Sequence, residues 1–288
     1  DTRLISTIVG LATASLLCVD LLFGQPLLRQ SVLSYDAITG IRFYGLGNES
    51  SGVLLGATLL GLYALLDHSA FFRRNILWTV VLPYILVFVL VGAPSFGSDF
   101  GGMFAALAGF GYALLKARSD RKWRRNMIWT AVVGVILLGV LIATNINLDA
   151  SKQTHIGRAF HDAMQQGPSI IVDLAVRKWS MNIRLIRSSL WTYALLSLLI
   201  SLVILFYRPV GIIKGTLRKH PLLNAGFKGI IIGMVVALLT NDSGIAMAAT
   251  GLLYLAIPLI LMVMDVVSAR AAGEAVDQQR VGSEASCS

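Results

Sequence analysis

Apolar stretches long enough to cross a lipid bilayer recur along the chain, separated by polar loops. They predict an all-α, polytopic membrane helix bundle with about eight transmembrane helices. The fourth stretch is the shortest, roughly 21 Å at about 1.5 Å per residue, and its Gly and Ala content predicts packing inside the bundle. The predicted spans are Leu4–Phe23, Ser50–Leu66, Ile76–Val91, Gly102–Leu115, Met127–Thr144, Leu190–Phe206, Leu222–Leu239 and Ile245–Met264.

Basic side chains in the loops predict the orientation of these spans, because Lys and Arg are enriched in short cytoplasmic loops. The loops around Arg73, Lys116–Arg125 and Arg208–Lys219 fall on one side, whereas the short loops of the other side carry only Arg29 and Arg42. This asymmetry predicts that both termini lie in the cytoplasm and that the opposite loops are extracytoplasmic. The long external loop is also basic, but long loops follow the rule less strictly.

The composition agrees with a membrane protein, since 56% of the residues are hydrophobic and only 14% are charged. Soluble domains average about 25% charged residues. The two cysteines, Cys18 and Cys287, form no disulfide framework or thiolate metal site, and no nucleic-acid partner is indicated. We predict a transmembrane domain over residues 1–268 and a polar, disordered cytoplasmic tail over residues 269–288.

Four polar segments interrupt the apolar pattern, and all four fall on the side opposite to the basic loops. They are Arg42–Glu49, Pro94–Gly102, Thr154–Asn182 and Asn241–Gly244. Lipid contact requires none of these polar groups. Their shared side therefore predicts an outward-facing site that is built from the ends of several helices.

The two short corners each contain an aspartate with two possible roles. In "GSDFGG", Asp99 either caps the helix that follows or acts as a metal ligand or general base. In "NDSG", Asp242 either belongs to an ordinary tight turn or is a functional carboxylate within the depth of the membrane. The second interpretation, applied to both corners, predicts a divalent metal on Asp99 and Asp242.

The segment 154–188 carries two helical patterns on the same predicted external side. His155, Arg158 and Asp162 share one helical face, which is either a solvated surface or part of a site. Farther along, charged and apolar residues separate onto different faces, as in an amphipathic helix lying in the outer membrane interface. Lys178 and Asn182 are i, i+4 neighbours on this helix, and they either anchor it or reach a substrate phosphate.

The remaining candidates are polar residues whose side chains suit an anionic ligand. Arg42 requires an anionic partner, and Glu49 either favours the helix N-terminus or belongs to the site. We assign catalytic roles to Asp99, Asp242 and His155. The predicted substrate-binding residues are Arg42, Asn48, Glu49, Arg158, Lys178, Asn182, Asn241 and Ser243.

The ordered motifs "RFYGLGN", "GAPSFGSDFGG", "THIGR", "RKWSMNIRLIR" and "NDSGIA" resemble an uncharacterised family of bacterial multi-span envelope proteins. In that family, such a membrane half follows an extracytoplasmic domain that resembles the alkaline phosphatase/phosphoglyceromutase superfamily. The resemblance implies a place in the bacterial cytoplasmic (inner) membrane and an extracytoplasmic partner domain with phosphate-ester chemistry. It implies no reaction for this chain.

Three functions follow from these patterns. The first is an outward-facing site for an anionic envelope substrate, such as a phosphorylated or lipid-linked saccharide. The second is an ion- or proton-coupled transporter or flippase, in which Asp99 and Asp242 carry the ion. The third is a structural membrane subunit or anchor without catalysis. Membrane lipids are partners in all three.

Overall fold

The computed structural model describes residues 2–31, 33, 35–36, 40–41, 45–117, 125, 132, 136, 139–140, 143, 169–207 and 210–285. Within this part of the chain the secondary structure is almost entirely helical. The helices are α1 (Thr2–Leu22), α2 (Asn48–His68), α3 (Ala70–Arg74), α4 (Leu82–Gly92), α5 (Phe100–Ala117), α6 (Ser169–Ser188), α7 (Leu190–Tyr207), α8 (Val210–Lys219), α9 (Pro221–Thr240) and α10 (Gly244–Ala285).

Short elements connect the first helices. A 3₁₀ turn spans Leu28–Gln30, and a π-helical turn, Leu77–Val81, leads directly into α4. The two-residue strands Tyr35–Asp36 and Gly40–Ile41 pair antiparallel, with Tyr35 opposite Ile41. These strands form a small hairpin between α1 and α2.

Five helices of the described residues are long and apolar enough to cross a membrane: α1, α2, α5, α9 and the Gly244–Arg270 part of α10. A sixth crossing is α6 with α7, if this pair, bent by 80°, counts as one span. The prediction of an all-α membrane bundle is therefore confirmed. The apolar helix over Trp78–Gly92 is shorter, and the predicted fifth span, Met127–Thr144, lies largely outside the described residues.

Helix α2 is the centre of the bundle. Only Val53, Leu65 and His68 of this helix are not buried. It crosses α1 where Gly10 meets Gly61, so closely that a Cβ added to Gly61 would lie 2.6 Å from the backbone nitrogen of Leu11. Lipid tails provide no hydrophobic drive for association between membrane helices, and such small residues let backbones approach and gain van der Waals contact.

Helix α5 is longer than the sequence predicts, because it extends from Phe100 to Ala117 and spans about 27 Å. Its packing inside the bundle is as predicted. Gly109 faces Gly229 and Gly233 of α9, and a Cβ at Gly109 would lie 2.8 Å from the carbonyl oxygen of Gly229. The small residues therefore serve the contact between α5 and α9.

Helix α10 continues to Ala285, past the point where the sequence predicts a polar, disordered tail, and the disorder of that tail stays a prediction. The polarity of this segment suggested disorder, but Ala, Glu, Gln and Arg are also among the stronger helix formers. Helix propensity thus extends α10 beyond its apolar part, which ends near Arg270.

Candidate functional site

Most of the predicted site residues lie at one end of the bundle. Helices α2 and α5 begin at this end, α9 ends there, and α6 packs across the corner between α9 and α10. The predicted residues found there are Asn48, Glu49, Asp99, Lys178, Asn182, Asn241, Asp242 and Ser243. Arg42, His155 and Arg158 lie outside the described residues. We call this the motif end.

Asp99 caps the N-terminus of α5. Its Oδ1 accepts a hydrogen bond of 2.8 Å from the backbone N–H of Gly102, and its carbonyl oxygen accepts one of 3.0 Å from the N–H of Met103. The preceding residue, Ser98, has a φ of +51°, a left-handed conformation that turns the chain into the helix. The capping interpretation is confirmed, and a metal-binding or general-base role for Asp99 stays a prediction.

The same carboxylate ties three helices together. Its Oδ2 accepts a short hydrogen bond from the Ser51 hydroxyl of α2, and the Asn241 Nδ2 group lies 3.2 Å from Oδ1 and 3.4 Å from Oδ2. All three side chains are buried. A buried carboxylate is costly unless it is hydrogen-bonded, so these donors stabilise Asp99 in place. We call Ser51, Asp99 and Asn241 the Asp99 cluster.

Glycines close the packing around the Asp99 cluster. A Cβ at Gly101 would lie 2.7 Å from the side-chain carbon of Asn241, and one at Gly52 would overlap the Met247 carbonyl oxygen. The first turn of α2 is fixed to α10 as well, because Thr250 donates 3.0 Å to the Glu49 carbonyl oxygen. Asn48 and Glu49, predicted to bind substrate, are themselves buried in this contact region.

The corner between α9 and α10 is a hydrogen-bonded turn. The Asp242 N–H donates to Asn241 Oδ1 at 3.2 Å, and the Ser243 carbonyl oxygen accepts from the N–H groups of Ala246 and Met247. The turn interpretation is therefore confirmed for the backbone of this segment. The Asp242 side chain, in contrast to Asn241, is exposed, so its carboxylate is accessible at the surface.

Helix α6 docks on this corner through one face. Lys178 Nζ donates 2.8 Å to the Thr240 carbonyl oxygen, and Asn182 Nδ2 donates 2.8 Å to the Asn241 carbonyl oxygen. Leu185, one turn farther along, is buried. These carbonyls belong to the C-terminal end of α9, which has no further helical donors, so α6 satisfies them from outside.

The other faces of α6 are exposed and differ in chemistry. Trp179, Ile183 and Ile186 form an apolar face that is about half exposed, whereas Arg177 and Arg184 are exposed on a charged face. This separation confirms an amphipathic helix over Ser169–Ser188. Because α6 meets α7 at 80°, a membrane-crossing α7 would leave α6 near the plane of the interface.

Lys178 and Asn182 form an incompletely paired polar site on the docked face. Lys178 Nζ lies 3.3 Å from Asp242 Oδ1, and the two side chains are 31% and 53% exposed. A partly exposed ion pair of this kind contributes only about 0–1 kcal/mol. Beside it, Asn182 Oδ1 is buried and accepts no hydrogen bond within the described residues.

A second polar cluster, which the sequence patterns do not predict, lies at the opposite end of α2. The buried Asp67 carboxylate accepts or shares a hydrogen bond of 2.7 Å with His220 Nδ1 and lies 3.8 Å from the Arg3 guanidinium. It joins the starts of α1 and α9 to the end of α2. The available signal was an aspartate directly after a long apolar run, which is a functional candidate by default.

Within the part of the chain that the structure describes, no three His, Cys, Asp or Glu side chains come together in a group that could hold a metal ion. The carboxylates of Asp99 and Asp242 have separate partners, Ser51 and Asn241 for the first and Lys178 for the second. No protein-family model, curated protein or solved structure matches the chain. The metal site and the family resemblance therefore stay predictions.

Proposed function

We propose that the motif end binds an anionic, phosphate-containing substrate of the cell envelope, such as a phosphorylated or lipid-linked saccharide. The observation that carries the proposal is the pair of Lys178 with a half-exposed Asp242, beside the partnerless acceptor of Asn182. This is the one place at the motif end, among the described residues, where a cation and an unused acceptor lie on adjacent turns of a helix.

Asp242 occupies the position that a ligand anion would take. Its carboxylate is a single negative charge held in a weak, partly exposed ion pair. A phosphate carries more charge and more acceptor oxygens, so it can replace Asp242 at Lys178 with a net gain in charge-assisted hydrogen bonding. A sugar hydroxyl of the same ligand can donate to Asn182 Oδ1.

The charged face of α6 supports the same ligand class. Arg177, Arg184 and Arg187 are exposed along the helix that carries Lys178. A group of like charges raises the local concentration of a ligand of opposite charge and increases its association rate. The apolar face of Trp179, Ile183 and Ile186 favours a ligand that also has a lipid part, because these side chains would contact the acyl chain of that ligand.

Two substitutions in this ion pair are expected to change binding in opposite directions. Lys178→Gln removes the cation and should weaken binding of a polyprenyl phosphate roughly tenfold to a hundredfold, since one charge-assisted hydrogen bond is lost. Asp242→Asn removes the competing carboxylate and should strengthen binding. Both are measured with the purified chain in nanodiscs, with the uncharged polyprenol as the control ligand.

The opposite directions of these two changes in affinity distinguish a binding site from a structural contact. If the Lys178–Asp242 pair only holds α6 in place, both substitutions should lower stability and leave the affinity for polyprenyl phosphate unchanged. Equal affinities for polyprenyl phosphate and polyprenol in the wild type would also contradict the proposal. The chain would then be best explained as a membrane scaffold or an anchor for a partner domain.

We further propose that the motif end faces the extracytoplasmic side. In a background with Cys18 and Cys287 replaced, Ser95→Cys at the motif end should react with an impermeant thiol reagent added to intact cells. Asn75→Cys, an exposed position at the other end, should react only after the cells are opened. The reverse pattern would place the site in the cytoplasm.

The partly buried Asp67–His220 pair favours a second candidate, a proton-coupled transporter. It lies at the far end of the central helix from Asp99, so the buried α2 carries ionisable contacts at both ends. Such groups within a membrane bundle are characteristic of proton relays. In a carrier of this kind, uptake into proteoliposomes would depend on pH, whereas the binding proposal requires no such dependence.

A further inference from the structure

A basic cleft lies at the end of the bundle opposite to the motif end. It has a volume of about 340 Å³ and is lined by Ala70, Arg73, Arg74, Ile76 and Ala117. The lining residues come from α3, from the turn that precedes α4 and from the end of α5. The cleft therefore lies where the connection between α2 and α4 meets the C-terminal end of α5.

The positive charge of this cleft is uncompensated within the described residues. The Arg73 guanidinium donates 3.2 Å to the Leu66 carbonyl oxygen and 3.4 Å to that of Asp67. These neutral acceptors orient Arg73 at the end of α2 but do not neutralise its positive charge. Arg74 is exposed and has no ion pair among the described side chains. An anion in the cleft would therefore meet two guanidinium groups.

A third cation and two exposed aromatic side chains are close in sequence to the residues that line the cleft. Lys116, next to Ala117, is exposed, and its ammonium lies 5.9 Å from the centre of the Tyr112 ring. Phe71 and Trp78, close in sequence to the lining residues, are 70% and 68% exposed. Exposed aromatic side chains at this level are typical of the boundary between headgroups and acyl chains.

We propose that this cleft binds the headgroup of an anionic phospholipid from the leaflet at this end of the bundle. Basic pockets between transmembrane helices are suited to lipid phosphates, and the guanidinium fork of Arg74 can form two charge-assisted hydrogen bonds to phosphate oxygens. The exposed Phe71 and Trp78 would contact the acyl chains of the same lipid. A lipid supplies both the phosphate for the arginines and the acyl chains for the aromatic side chains, whereas a soluble phosphate supplies only the phosphate.

The test compares two arginines of equal charge at the same end. Arg74→Ala should weaken binding of phosphatidylglycerol to the purified full chain in neutral detergent about tenfold or more, measured by native mass spectrometry. Arg218→Ala removes one exposed positive charge from α8 and should leave this affinity unchanged. Should Arg74→Ala fail to fold, Arg74→Gln, which keeps a long polar side chain, replaces it in the same comparison.

Two results would overturn the proposal. Equal losses in the Arg74 and Arg218 variants, or no loss in either, would mean that anionic lipid binds through general surface charge. Competition by inorganic phosphate at concentrations comparable to the lipid would mean that the cleft is a site for free anions. Because the cleft and the motif end are at opposite ends of the bundle, failure here leaves the test of Lys178 unaffected.

Discussion

Replacing Asp99 with alanine is expected to lower the free energy of unfolding by about 3 kcal/mol. The substitution removes the cap of α5, worth about 1 kcal/mol. It also leaves the buried Ser51 hydroxyl without its acceptor, at about 1–3 kcal/mol for an unsatisfied group, whereas the Asn241 amide still donates to the Met247 sulfur at 3.3 Å. Equilibrium unfolding of the purified chain in mixed micelles measures the change.

The matched control for this substitution is Ser95→Ala, in the same corner but exposed. Its effect should stay within about 0.5 kcal/mol, as for most surface substitutions. An Asp99→Ala protein with wild-type stability and lost substrate binding would contradict the structural role. It would instead favour the catalytic or metal-binding role that the sequence left open.

A single added methyl group at Gly109 is expected to destabilise the bundle by about 2 kcal/mol. The new Cβ would lie 2.8 Å from the Gly229 carbonyl oxygen and 3.3 Å from the Gly233 Cα, so the backbones of α5 and α9 would have to separate. Overpacking of this kind typically costs about 1–3 kcal/mol. Gly109→Ala is compared with the wild type by the same unfolding measurement.

Gly111→Ala provides the control from the same helix. A Cβ at Gly111 meets nothing within 4 Å, and alanine is favoured over glycine in a helix by about 1 kcal/mol. This variant should be as stable as the wild type or slightly more stable. If Gly109→Ala and Gly111→Ala change the free energy of unfolding equally, the change would reflect helix propensity. That result would contradict the close contact between α5 and α9.

The hydrophobic pattern was sufficient to predict the membrane bundle, because each apolar run must form its hydrogen bonds within its own helix. The ends of α1, α2 and α9 lie within two residues of their predicted ends. The capping role of Asp99 could also be predicted from the local sequence, since aspartate is strongly preferred at the position before a helix. Local chemistry of this kind requires no knowledge of distant contacts.

The partners of these groups could not be predicted, because they come from distant parts of the chain. Ser51 and Asn241 reach Asp99 from two other helices, and nothing in their local sequence specifies that contact. Lys178 and Asn182 were recognised as neighbours on one helix, but their docking on the end of α9 depends on how α6 lies against it. Sequence spacing predicts a shared helical face, and tertiary packing determines what that face contacts.

The most direct measurement for the central claim is an experimental structure of the chain in a nanodisc with bound polyprenyl phosphate. We expect a phosphate oxygen within about 3 Å of Lys178 Nζ, at charge-assisted hydrogen-bonding distance, with the Asp242 carboxylate displaced from its present position. A Lys178–Asp242 pair that persists under saturating ligand, with phosphate bound elsewhere, would contradict it.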